Sequence, residues 1–307
     1  LDKERIMTTM FRTGVRLLLA LALLAPVAPG AAAEGAVPDP AGWADLQRML
    51  TPRIAKAYCQ TGLGVVPGES TRQLLESVVL FDLQMSKLRQ FPPSGHERES
   101  LAAMERAWTP LRAVAMERAT RQGCDTITRQ SEDLLRATND FAREIRSRTG
   151  TAAAGTLPSI SGRQQVLAQK LAKLYMARAW GLDSAAMSEE IDSARNEFSG
   201  AMAKLQGAPG NTAATKEALN RVALQWVWLD TALEQPGSES SYSLVVADSS
   251  ESIMQGMEAV TRMYQGLSPT RDRPGLGLPS NDDLPFGAAA VGRGGLAPPA
   301  VAAVNRN

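Results

Sequence analysis

Met49-Leu50-Thr51-Pro52-Arg53-Ile54-Ala55-Lys56-Ala57-Tyr58 lies over Val166-Leu167-Ala168-Gln169-Lys170-Leu171-Ala172-Lys173-Leu174-Tyr175 with Arg53 on Lys170, Lys56 on Lys173 and Tyr58 on Tyr175. The same offset carries Phe81 onto Phe198, Met85 onto Met202, Lys87 onto Lys204 and Leu88 onto Leu205. Further along the chain it drifts by one residue, placing Trp108 on Trp226 and Leu111 on Leu229. It then drifts by one more, placing Ser131-Glu132 on Ser250-Glu251 and Leu134-Leu135 on Ile253-Met254. Any two amphipathic helices resemble each other a little. One offset held across two helices and a loop, followed by slow one-directional drift at later loops, is the signature of a duplicated unit.

Each copy reads as four helices. In the first, Asp39-Pro40 supplies an N-cap and a proline at the first helical position, opening a helix to about Gln60. A second helix covers about Glu69 to Phe91, stopped by Pro92-Pro93. Ser94-Gly95-His96-Glu97 reads as a capping box opening a third, to about Gln122, with Gly123 ending it and Asp125 capping a fourth to about Arg148. Pro52 and Pro110 fall inside helices and are expected to kink or locally break them. In the second copy the helices are expected at about Ser159 to Trp180, Ser184 to Gln206, Asn211 or Thr212 to Gln235, and Glu239 to Gln265. Few Phe, Tyr and Trp beside abundant Ala, Leu, Gln, Glu, Arg and Met also favours helix over sheet. The short connections favour antiparallel neighbours, so the expected fold is all-α, two tandem up-down-up-down four-helix bundles over 39–149 and 159–266. A linker at 150–158 joins them, and 267–307, rich in Pro, Gly and Ala without periodicity, reads as a disordered tail.

Ahead of the first unit, Arg12 and Arg16, the apolar run Leu17 to Leu24 and the small residues Ala31-Ala32-Ala33 follow the three-part pattern of an export signal opening at Met7. Residues 1–33 are therefore expected to be upstream residues plus a removed signal, the run being too short to span a bilayer stably. An uncleaved anchor is the alternative. Export implies a periplasmic location, and no later stretch is long and apolar enough to give the mature protein a stable membrane span. In that oxidising compartment the two cysteines form a candidate disulfide. The bundle topology puts the end of the first helix, Cys59, beside the start of the fourth, Cys124; two separate buried thiols are the alternative.

The balance of charge is close to neutral, with no clustered basic patch, so no nucleic-acid partner is expected. The single histidine, His96, sits in a capping turn and excludes most histidine-based metal or haem sites. Neither a Gly-x-Ser-x-Gly elbow, a phosphate loop nor a carboxylate pair placed for acid–base work is present, so no enzyme and no cofactor are expected. Helical methionines such as Met85, Met104, Met116 and Met202 read as core fillers rather than soft-metal ligands. Trp108 and Trp226 align between copies and read as core; Trp228 lies on another face, that of an interface.

Ile160-Ser161-Gly162-Arg163-Gln164-Gln165-Val166-Leu167-Ala168-Gln169-Lys170 and, in the first copy, Leu46-Gln47-Arg48-Met49-Leu50-Thr51-Pro52-Arg53 resemble the opening helix of the PilJ-type module, the N-terminal domain of type IV pilus chemotaxis transducers, which is related to the NarX-type nitrate sensors. Thr51-Pro52 departs from that family's serine-glutamine. The resemblance implies an extracytoplasmic sensory bundle that binds a small anion at an interface between two bundles. It places Arg48 at the position of the anion-gripping arginine, with Gln165 as its counterpart in the second copy. Leu46, Leu50, Ile54 and Ala57 form one helical stripe, with Arg48 roughly opposite; Ile160, Leu167, Leu171 and Leu174 form the matching stripe, with Gln165 opposite. The expected ligand site is thus Arg48 and Gln165 facing across a pseudo-twofold axis, with Arg163 as a second donor. The expected function is a periplasmic sensory or ligand-binding protein that hands its state to a membrane sensor kinase or chemotaxis transducer. The alternative is a structural or adaptor bundle of the envelope or pilus system with no small ligand.

Overall fold

In the computed structural model of the chain, residues 39–150, 156–234 and 239–266 are described. The export signal expected within 1–33, most of the linker, Pro236-Gly237 and the tail expected at 267–307 lie outside the described residues. The described residues form helices joined by short turns, with no strand among them. The first repeat comprises α1 (Pro40–Leu63), α2 (Pro67–Gln90), α3 (Gly95–Ala115) and α4 (Arg121–Thr149); the second comprises α5 (Leu157–Ala179), α6 (Ala185–Gln206), α7 (Ala213–Leu233) and α8 (Glu239–Tyr264).

Local chemistry sets most of these ends. Asp39 Oδ1 accepts from Gly42 N at 2.8 Å ahead of Pro40, and Gly64 closes α1 in the left-handed region that glycine enters at no steric cost. The Ser94 capping box forms, with Ser94 N donating to Glu97 at 2.6 Å. Ser184 and Thr212 cap α6 and α7. One boundary differs from the sequence expectation. The third helix stops at Ala115 rather than near Gln122, and Thr120, not Asp125, caps the fourth by accepting from Gly123 N at 3.0 Å. The cause is a tertiary contact: Tyr58 on α1 donates its hydroxyl to Arg118 O at 3.1 Å and accepts from Thr120 N at 3.3 Å, holding 118–120 out of the helix. Gly123 does not end α3 but lies in the first turn of α4, where a Cβ would collide with the Tyr58 hydroxyl. The expected breaks at Pro52 and Pro110 do not occur; α1 and α3 run through them.

Within each repeat the helices pack in a ring of antiparallel neighbours, α1 on α2 and α4, α3 on α4, and likewise α5 on α6 and α8, α7 on α8. The repeats meet along α1 and α5. These two helices run parallel and in register: Gly62 near the end of α1 abuts Trp180 just past the end of α5, and Arg53 and Lys56 reach α8 at the level where Gln169 donates to Ser250 O. Sharing two sets of neighbours buries α1 all round from Met49 to Gln60, and α5 from Val166 to Ala177 except at Lys170. Each opening helix is therefore buried on the face of its own bundle and on the face toward the other repeat, because it serves two cores at once.

The duplicated core contacts coincide. Phe81 stacks on Trp108 and Phe198 on Trp226, each at 4.0 Å between ring centres. Met85, Met104, Met202, Met254 and Met257 are buried in the core, whereas Met116 is exposed. Cys59 and Cys124 are joined in a disulfide between the end of α1 and the start of α4. The second repeat replaces Cys59 with Met176, which is fully buried.

Candidate functional site

The residues expected to hold a ligand cluster at the pole where α1 and α5 begin, but each is engaged separately. Arg48 donates from Nε to Asn139 on α4 at 2.6 Å and from Nη1 to Asp45 at 2.9 Å. Arg146, also on α4, donates to the same Asp45 carboxylate. Gln165 sits at the corresponding place in the second repeat and donates to Thr261 on α8 at 3.5 Å. Arg163 grips Glu197 on α6 with a two-pronged contact, 2.7 and 3.0 Å. Arg48 and Gln165 thus each turn to the fourth helix of their own repeat, and no hydrogen bond joins them.

The Arg48 side chain is only 15% exposed, and burial lowers its pKa first; Asp45 opposes that shift, while Arg146 and, more weakly, Arg163 add to it. Asp45 serves two guanidinium groups. Arg163 also borders an open cavity of about 410 Å³ with Ser159, Asn196, Glu197 and Lys204. These groups can offer hydrogen bonds and positive charge to a small anion; they hold no nucleophile–base pair.

A second polar constellation lies at the heart of the molecule, and sequence reasoning did not single it out as a site. Arg53 and Lys56 on α1 are fully buried and meet Glu251 on α8 of the other repeat. Arg53 contacts both Glu251 oxygens, at 2.9 Å from Nη2, and donates from Nη1 to Ser77 at 2.6 Å. Lys56 reaches Glu251 and Ser250, the latter at 3.3 Å. The counterpart is built from the equivalent residues with the repeats exchanged. Lys173, fully buried on α5, reaches Ser131 at 3.2 Å and Glu132 on α4, and Lys170 bonds Glu132 at 3.3 Å and Glu190 at 2.5 Å.

Burial pushes the Glu251 carboxyl up, but the adjacent Arg53 and Lys56 outweigh it and hold it down at about 2. Burial likewise raises Glu132, and Lys173 with Lys170 outweighs it, for a net lowering. Burial lowers both Lys56 and Lys173 against the pull of Glu251 and Glu132. Asp248 is raised by burial and by Glu251. In a low-dielectric interior such charges are tolerable only when paired and hydrogen-bonded, as these are. The signal that could have found them is their sharing between copies: Lys56 with Lys173, Arg53 with Lys170 and Ser131-Glu132 with Ser250-Glu251 keep charge and size while most of the surface differs. Comparison of the chain with family models, with curated proteins and with solved structures finds no match.

Proposed function

We propose that the protein is a periplasmic sensory or ligand-binding module, not an enzyme, that takes a small anion at the pole where α1 and α5 begin and passes its state to a membrane partner, a sensor kinase or chemotaxis transducer. The observation that supports this reading best is Asp45 shared between Arg48 and Arg146, with Arg163 close enough to Arg48 to act on its charge. A part-buried guanidinium with half a counter-ion gains from an added anion, and charged hydrogen bonds of this kind contribute about 1.5–3 kcal/mol. The PilJ-type resemblance of the opening helices, in which the position of Arg48 grips the ligand, points the same way. The test is calorimetric titration and thermal shift with nitrate, nitrite and other small anions. An anion present at about a hundred times its dissociation constant raises stability by about 2.7 kcal/mol. Arg48→Ala is expected to weaken its binding about tenfold or more; an unchanged affinity in that variant moves the ligand site elsewhere.

A second reading, an adaptor without a small ligand, is favoured by a different observation. Leu75, Val79 and Leu83 form an exposed apolar line along α2, and Leu224, Val227 and Trp228 form another on α7. The equivalent positions of the other repeat carry Asp192, Asn196 and Gly200 for α2, and Arg106, Thr109 and Pro110 for α7. The two lines are therefore not remnants of the duplication. A partner lost on Val79→Asp, with anion binding intact or absent from the start, would favour this reading.

A further inference from the structure

The cross-repeat ion pairs have a property that neither repeat shows alone. Unit one carries the cations Arg53 and Lys56 and the anion Glu132; unit two carries Lys170 and Lys173 and the anion Glu251. In the folded chain the cations of each meet the anion of the other. The hydroxyl groups beside the anions match as well: Ser250 accepts from Lys56 and Ser131 from Lys173, and both hydroxyls donate back to a carbonyl three residues earlier, Ala247 and Thr128. Each unit therefore presents one surface bearing both halves of the same lock. Positioned against a copy of itself, unit one would offer Arg53 and Lys56 to Glu132 of the copy, and unit two would offer Lys170 and Lys173 to Glu251 of the copy.

We propose that this surface, the α1 and α4 face of unit one and the α5 and α8 face of unit two, is self-complementary, so that its natural partner within the chain is exchangeable for the same unit of a second copy of this chain. What favours the internal pairing in the wild-type chain is a set of contacts without twofold counterparts. Gly62 makes room for Trp180, and Arg121 donates to Trp180 O at 2.8 Å and to Gly181 O at 2.5 Å. At the position of Trp180 the first unit has Leu63, and at that of Gly62 the second has Ala179, so a like-with-like pair loses the Gly62–Trp180 contact but keeps the ionic centre. The short linker adds the advantage of high effective concentration.

Reversal of charge in one unit separates the two pairings. Arg53→Glu, Lys56→Glu and Glu132→Lys together place two Glu against the buried Glu251, and a Lys against Lys170 and the buried Lys173, within the chain. The same three changes remain complementary between two copies of unit one, and unit two is untouched. The full-length triple variant is expected to run at twice the mass of the wild-type chain in light scattering, with helical circular dichroism retained. Adding Lys170→Glu, Lys173→Glu and Glu251→Lys, with Glu190→Lys so that position 170 keeps an opposite charge on α6, restores complementarity within the chain and is expected to return the mass to the wild-type value. A triple variant that keeps the wild-type mass, folded or unfolded, overturns the proposal, as does an assembly of undefined size that the combined reversal fails to rescue. Cleaving the linker between Gly150 and Thr156 in the folded proteins gives the second measurement. Native mass spectrometry is expected to show one copy of each half together for the wild type, and pairs of like halves for the triple variant. Mixed pairs in both, or separated halves in both, overturn it.

Discussion

At the scale of single residues the centre of the molecule is governed by Glu251. Removing its charge strands Arg53 and Lys56 in the interior, and breaking a buried pair from one side costs about 3–5 kcal/mol. Glu251→Ala is therefore expected to lower stability by about that amount in urea denaturation, and Glu132→Ala by less because Glu132 is more exposed and Lys170 keeps Glu190. The pH dependence has a definite sign. The folded pKa of Glu251, about 2, lies below its ordinary value of 4.5, so its contribution is present above about pH 4.5 and is lost as pH falls toward 2. Urea midpoints measured from pH 6 to 2 are expected to decline through that window in the wild type and to decline less in Glu251→Gln. Little of this was legible in the sequence, because a Lys or Arg on an amphipathic helix carries no local sign of being buried. Only the packing of α1 against a second bundle removes the solvent face on which they would otherwise sit. Arg48 shows the converse: its position was readable, but its engagement with Asn139 and Asp45 depends on how α4 lies, which no local pattern specifies.

At the scale of elements, the duplication and most helix ends were legible because caps and glycines act locally. The stop of α3 was not, because it is set by Tyr58, about sixty residues away in sequence. That contact gives a sharp expectation: Gly123→Ala places a methyl group where the Tyr58 hydroxyl lies, displacing the ring from Arg118 and Thr120. Overpacking of this kind costs about 1–3 kcal/mol, read as a lower thermal midpoint, and Tyr58→Phe in the same background should recover part of it. Beside this contact the Cys59–Cys124 disulfide closes a loop with a sequence separation of 65. In the chain-entropy account such a loop contributes about 4 kcal/mol. Reduction, or Cys59→Ala with Cys124→Ala, is expected to lower stability by up to about that amount, checked by denaturation with and without reductant. Trp228→Arg, on the exposed face of α7, is expected to change stability by less than about 0.5 kcal/mol, so any loss of partner binding in that variant would be a surface effect.

At the scale of the whole molecule, α1 and α5 form a shared spine that belongs to both cores. Denaturation is therefore expected to proceed in one cooperative transition, with the slowest-exchanging amides in Met49–Gln60 and in the matching buried stretch of α5. Two well-separated transitions in calorimetry would show that the repeats unfold independently. The parallel course of α1 and α5 has one more consequence, for the order in which the chain is written. A repeat of four antiparallel helices ends at the pole where it began, so the chain leaves α4 and enters α5 at the same end of the molecule. By the twofold relation between the repeats, the exit of α8 stands to the entrance of α1 as the exit of α4 stands to the entrance of α5. A connection from Gly266 to Asp39 as short as the native one, with new termini opened between Gly150 and Thr156, would thread the same eight helices with the second repeat first. The molecule has a handedness and a centre, but which repeat comes first is a property of the gene and leaves no mark on the shape.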